Sequence, residues 1–112
     1  MITLSHPKVI TLCGSHEFVT TFNRIKQVLT RQGLLVLTPN FKFNASPTKK
    51  ALLNLQAEHF HRIHLADEVL IIDVNSYVGH QTQREIAFAR TLGKPILYYS
   101  DHTPGNQQHS AK

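Results

Sequence analysis

Seven carboxylates, eight imidazoles and a single thiol are the groups in this 112-residue chain most suited to proton transfer, nucleophilic attack or metal binding. Glu85 stands out among them by its place. It directly precedes Ile86, and Ile86, Ala89 and Leu92 step along one helical face that Gly93 ends. The spacing predicts a short helix with Glu85 near its start. Unpaired N–H groups at a helix start hold a carboxylate anionic, able to attack an electrophilic carbon or to stabilise a cation. A solvated glutamate on a helix surface is the ordinary alternative.

Gly14-Ser15-His16 follows the apolar run Val9-Ile10-Thr11-Leu12-Cys13. Glycine lets a ligand approach the backbone, Ser15 can cap a helix, and the first helical N–H groups attract an anion. The segment lacks the further glycines of a dinucleotide fingerprint and the Gly-Lys-Thr of a P-loop. A tight turn with a serine cap is an equal reading. Phe41 and Phe43 flank Lys42 and could stack on a base, although aromatic packing under a loop is commoner. Of His59, His61 and His64, only His61 and His64 share a close helical step, with no HExxH pattern or cysteine beside them. No metal site and no cofactor are therefore expected. Cys13 reads as a small buried residue at a strand end.

These groups need a scaffold. Four apolar runs recur: Val9 to Cys13, Leu34 to Leu37, Val69 to Ile72 and Ile96 to Tyr99. Runs that are apolar throughout suit strands covered on both faces. Phe18, Phe22, Ile25 and Leu29 form a helical stripe between the first two, with Gly33 as its stop. A weaker stripe through Leu52, Leu55 or Gln56, His59 or Phe60, and Ile63 links the second to the third. Strand and helix alternate, which predicts a three-layer α/β domain over residues 1–100 with a parallel sheet of four strands, or five. Ligands in such sheets sit beyond the carboxyl ends of the strands. Asn40 to Lys50 reads as a loop, and residues 101–112 as a flexible polar tail.

Composition narrows the function classes. One cysteine excludes an internal disulfide framework, and no apolar run approaches the roughly 18 residues of a membrane span. With no convincing secretory signal, a soluble cytoplasmic protein is expected. Twelve basic against seven acidic residues give a net charge of +5, which suits a phosphorylated metabolite or nucleic acid. The basic residues are scattered, so a small ligand is favoured over nucleic acid.

Leu12-Cys13-Gly14-Ser15, Ala66-Asp67-Glu68-Val69, Tyr77-Val78-Gly79, Arg84-Glu85-Ile86-Ala87-Phe88-Ala89 and Gly93-Lys94-Pro95-Ile96-Leu97 together resemble the nucleoside 2-deoxyribosyltransferase-like superfamily. That group includes the 2'-deoxynucleoside 5'-phosphate N-hydrolases, and the likeness runs from about Lys8 to Tyr99. It implies a flavodoxin- or Rossmann-like sheet and cleavage or transfer of an N-glycosidic bond in a (deoxy)nucleoside or nucleoside monophosphate. Glu85 would be the nucleophile, forming a glycosyl ester that water or a second base resolves. Asp73, at the strand-end rim, could position a sugar hydroxyl or assist the leaving base, and capping of the loop backbone is an equal reading.

Gly14, Ser15 and His16 would hold the sugar or a 5'-phosphate, with Phe41, His59, Asn75, Tyr77 and Gly79 completing the substrate site. Leu12 stands where the family's transferases carry a tyrosine, Tyr77 where they carry an aspartate, and His59 falls near a further family acid. These departures bring in hydrolysis in place of transfer, another nucleotide substrate, or a non-catalytic nucleotide-sensing module. The resemblance also implies a homodimer or higher homo-oligomer, because such sites often borrow residues from a neighbouring subunit.

Overall fold

The computed structural model describes residues 6–41 and 48–102. Its elements run β1 (Val9–Gly14), α1 (Val19–Arg31), β2 (Leu35–Leu37), α2 (Lys49–Leu65), β3 (Glu68–Ile72), α3 (His80–Thr91) and β4 (Ile96–Tyr98). Short 3-10 turns precede α1, follow β3 and follow β4. The four strands form one sheet in the order β2-β1-β3-β4, and every pairing is parallel. Helices cover both faces, so the expected three-layer α/β class is observed.

The period-two pleat sorts β1 and β3 between the faces. Ile10 and Leu12 of β1 join Leu70 and Ile72 of β3 in a cluster with Phe22 of α1. Cys13, Val69 and Ile71 point the other way, packing with Ile63 of α2 and with Ile86 and Ala89 of α3. Leu12, which the resemblance places at a functional position, is fully buried on the α1 side. Its neighbour Cys13 is the residue that faces α2 and α3. Coverage on both faces holds for the central strands. The edge strands β2 and β4 are three residues each, and Leu35 and Leu97 remain exposed.

Local chemistry sets the helix ends. Gly33 takes φ +88° after α1 and Gly93 takes φ +69° after α3, a left-handed backbone that glycine adopts without a Cβ penalty. Thr48 caps α2, its hydroxyl accepting the Ala51 N–H at 3.1 Å. The loop read as far as Lys50 therefore ends at Thr48. Helix α3 begins at His80, which makes Glu85 its sixth residue rather than one near the start. Asp67 ties the amino edge of the sheet together by accepting the Val9 N–H at 2.8 Å.

Asp101 and His102 close the turn after β4; the rest of the expected tail, residues 103–112, lies outside the described residues, as do Lys42 and Phe43. No helix among the described residues is long and apolar enough to cross a membrane.

Candidate active site

The strand order reverses about β1, whose neighbours β2 and β3 lie on opposite sides of it. Parallel strands present their carboxyl ends at one rim, and the crevice at such a reversal is where open α/β sheets bind ligands. Gly14 ends β1 there, and a Cβ on it would lie 2.8 Å from the Ile72 carbonyl oxygen. Only glycine lets β1 pass β3 this closely. Ser15 then caps the 3-10 turn His16–Phe18, its hydroxyl accepting the Glu17 N–H at 3.3 Å. That turn moves the start of α1 to Val19, beyond the place expected for it directly after Ser15.

A cavity of about 170 Å³ opens against this turn. Gly14, Ser15 and His16 form one wall, His59 of α2 and Glu85 of α3 another. Pro39 and Asn40 after β2, Leu52, Leu55 and Gln56 of α2, and Gln81 of α3 complete it. Behind the second wall, Cys13, His59 and Glu85 are all buried, at 0%, 3% and 6% exposure. The Cys13 sulfur lies 3.4 Å from His59 Nε2, and His59 Nε2 lies 4.0 Å from Glu85 Oε1. The Gln81 side-chain amide donates to Glu85 Oε2 at 3.4 Å.

Burial sets the protonation of this cluster. It pushes the Glu85 carboxyl up to about 7, although hydrogen bonds from Gln81 and Cys13 favour its anion. The expectation that a helix start would keep Glu85 fully anionic is therefore corrected. Glu85 lies past the first turn of α3, where the helix field has faded, and desolvation dominates. Burial likewise pushes the Cys13 thiol up, reinforced by the Glu85 charge. His59 falls to about 4, through burial first and the Arg62 charge second, while the Leu12 backbone pulls weakly the other way. The ring is thus neutral at pH 7, and its contact with Glu85 is not an ion pair. Among the described residues, no group completes a hydrogen bond with His59 Nδ1.

Of the candidates read from sequence, Gly14, Ser15, His16, His59 and Glu85 meet at this cavity. Phe41 stands behind it, edge-on to His16 and to Phe22 at 4.9 Å between ring centroids; it braces His16 and packs on the α1-side core.

Asp73, Asn75, Tyr77 and Gly79 are not among the cavity-lining residues. Both Asp73 oxygens accept from Ser100, one from its N–H at 2.8 Å and one from its hydroxyl at 2.7 Å. This buried aspartate, expected as an auxiliary catalytic group, fastens the end of β3 to the turn after β4 and does not line the cavity. Asn75 turns the chain at φ 54°. Tyr77 is half exposed and meets Phe18 edge-on at 6.0 Å. Gly79 is the N-cap of α3.

Sequence reasoning missed Cys13, Gln56 and Gln81 as site residues. Gln81 had a usable signal, four residues before Glu85 on the same helix. The histidines of α2 do have a cysteine partner, but it comes from β1 and meets His59 rather than His61 or His64.

No protein-family model matches the chain, and no curated protein matches it either. Among solved structures, the 2-desoxiribosyltransferase from Leishmania mexicana superposes with a TM-score of 0.64 at 19% identity, covering 83% of this chain. This chain spans 64% of that one. The protein thus has the fold of a deoxyribosyltransferase, as the sequence motifs implied.

Proposed function

We propose that this chain breaks the N-glycosidic bond of a (deoxy)nucleoside or nucleoside monophosphate, with Glu85 as the nucleophile. One observation carries the reading: the Glu85 carboxyl and the Gly14–His16 turn line the same small cavity at the strand-order reversal. The likeness of fold to a deoxyribosyltransferase supports it. In the ionised state, one Glu85 oxygen attacks C1' as the bond from C1' to the base nitrogen breaks. The electron pair leaves with the base, which takes a proton from solvent water at that nitrogen. Water then attacks C1' of the ester, loses a proton and frees Glu85; a second base in place of water completes a transfer.

The surrounding side chains fit these steps. Gln81 holds one carboxylate oxygen and orients the other. His16, Asn40 and Gln56 supply polar atoms on the cavity wall for the sugar and the departing base. The cavity is smaller than the roughly 300 Å³ at which pockets begin to enclose a whole ligand, so it takes the sugar and leaves the base towards its mouth. Leu52 lines the cavity, and both it and Leu53 are exposed. A second copy covering them would complete the site, in keeping with a homodimer or higher homo-oligomer.

A panel of deoxynucleosides, ribonucleosides and their monophosphates, read by chromatography for free base, tests the proposal. Release that disappears in Glu85→Ala supports it. Saturable binding with no release from any member would replace it with the nucleotide-sensing reading.

A further inference from the structure

Cys13, His59 and Glu85 come from β1, α2 and α3, and their donor atoms lie within 4.8 Å of one another. We propose that these three side chains form a binding site for a thiophilic divalent cation, zinc being the prototype, with its fourth coordination position open to the cavity. The donor set is one sulfur, one imidazole nitrogen and one carboxylate oxygen. Thiolate with imidazole selects zinc-class ions over magnesium or calcium, which prefer all-oxygen shells.

The geometry is close to what such an ion needs. Zinc bonds of about 2.0–2.3 Å place neighbouring ligand atoms of a tetrahedron about 3.3–3.6 Å apart. The Cys13 sulfur and His59 Nε2 are already separated by 3.4 Å. His59 Nε2 and Glu85 Oε1 stand at 4.0 Å and all three donor atoms lie within 4.8 Å of one another, so the side chains need to close by about 1 Å to reach that tetrahedron.

Charge favours the assembly as well. A thiolate and a carboxylate neutralise a dication, so the filled site is electrically neutral in a region that disfavours isolated charge. Entry is open, since His59 and Glu85 both line the cavity. Three protein ligands with a fourth position facing a cavity leave room for a water or an anionic ligand on the ion. A metal bound there occupies the Glu85 oxygen that would attack C1'. Occupancy therefore silences base release, a consequence that rests on the function proposed above.

The test uses the full chain, stripped with a chelator and titrated with cobalt(II) as a spectroscopic stand-in. Cys13 is the only cysteine, so a thiolate-to-cobalt charge-transfer band reports on this site alone. The expected result is a band saturating at one equivalent, displaced by zinc and absent in Cys13→Ser. His59→Gln should weaken binding about 100-fold, at least as much as loss of a partner that only orients a ligand. Saturation of the wild-type chain with no thiolate band overturns the proposal and needs no variant to fold. A band of unchanged affinity in both His59→Gln and Glu85→Gln overturns it equally.

Base release measured in chelator separates the two proposals. A band with no release from any substrate sinks the catalytic reading alone, and release without a band sinks the metal site alone.

Discussion

Asp73 and Glu85 are both buried carboxylates towards the carboxyl ends of the strands, at 5% and 6% exposure, and they have opposite characters. Asp73 receives two short hydrogen bonds from one residue, Ser100, one on each oxygen. Glu85 has a long contact from an amide and lies beside a thiol and a neutral imidazole, with a cavity in front of it. Burial alone therefore does not distinguish a working carboxylate from a structural one. The state of its hydrogen bonds does. A satisfied carboxylate holds two elements together, while an under-satisfied one retains lone pairs for an incoming carbon or cation.

The sharpest way to break this contrast is to neutralise each group in turn. Glu85→Gln should lower base release about a thousand-fold or more, the scale expected for loss of a nucleophile. The same variant should be more stable than the parent in alkaline solution. Glu85 titrates at about 7 in the folded chain against an ordinary 4.5. A carboxyl raised on folding gives stability that is complete below the lower value and lost as the pH climbs through the higher one. In chelator at pH 8, Glu85→Gln should thus gain on the order of 3 kcal/mol, with little difference at pH 4. Thermal denaturation at both pH values measures this.

Asp73→Ala should do the reverse. It strands the half-buried Ser100 N–H and hydroxyl, costing about 1–2 kcal/mol, and leaves base release per folded molecule intact. Denaturant unfolding together with the chromatographic assay would show both halves. The smallest effect is expected at the first turn, where Ser15→Ala removes a cap worth about 1 kcal/mol; a chemical melt should find a shift of that size.

The same pair shows how far the sequence could be read. The central strands were legible because Val9 to Cys13 and Val69 to Ile72 are apolar on both faces. The start of α3 was not, since His80 to Arg84 offers no apolar stripe, and that hid the true depth of Glu85 in the helix. A carboxylate's position at a strand end or beside an apolar run is local and readable. Its partners are not: Ser100 lies 27 residues from Asp73, and Cys13 and His59 meet across 46. The role of each acid is decided by residues that only the fold brings near.

A mechanism-based probe tests the central claim most directly. The chain is incubated with a 2'-fluoro-substituted nucleoside or monophosphate, whose glycosyl ester hydrolyses slowly, and intact and peptide masses are measured in the presence of chelator. The prediction is one added sugar or sugar phosphate per chain, mapped to Glu85, and none in Glu85→Gln. Release of the base from natural substrate by Glu85→Gln at the parent rate, with no adduct on Glu85 in the parent, would contradict it.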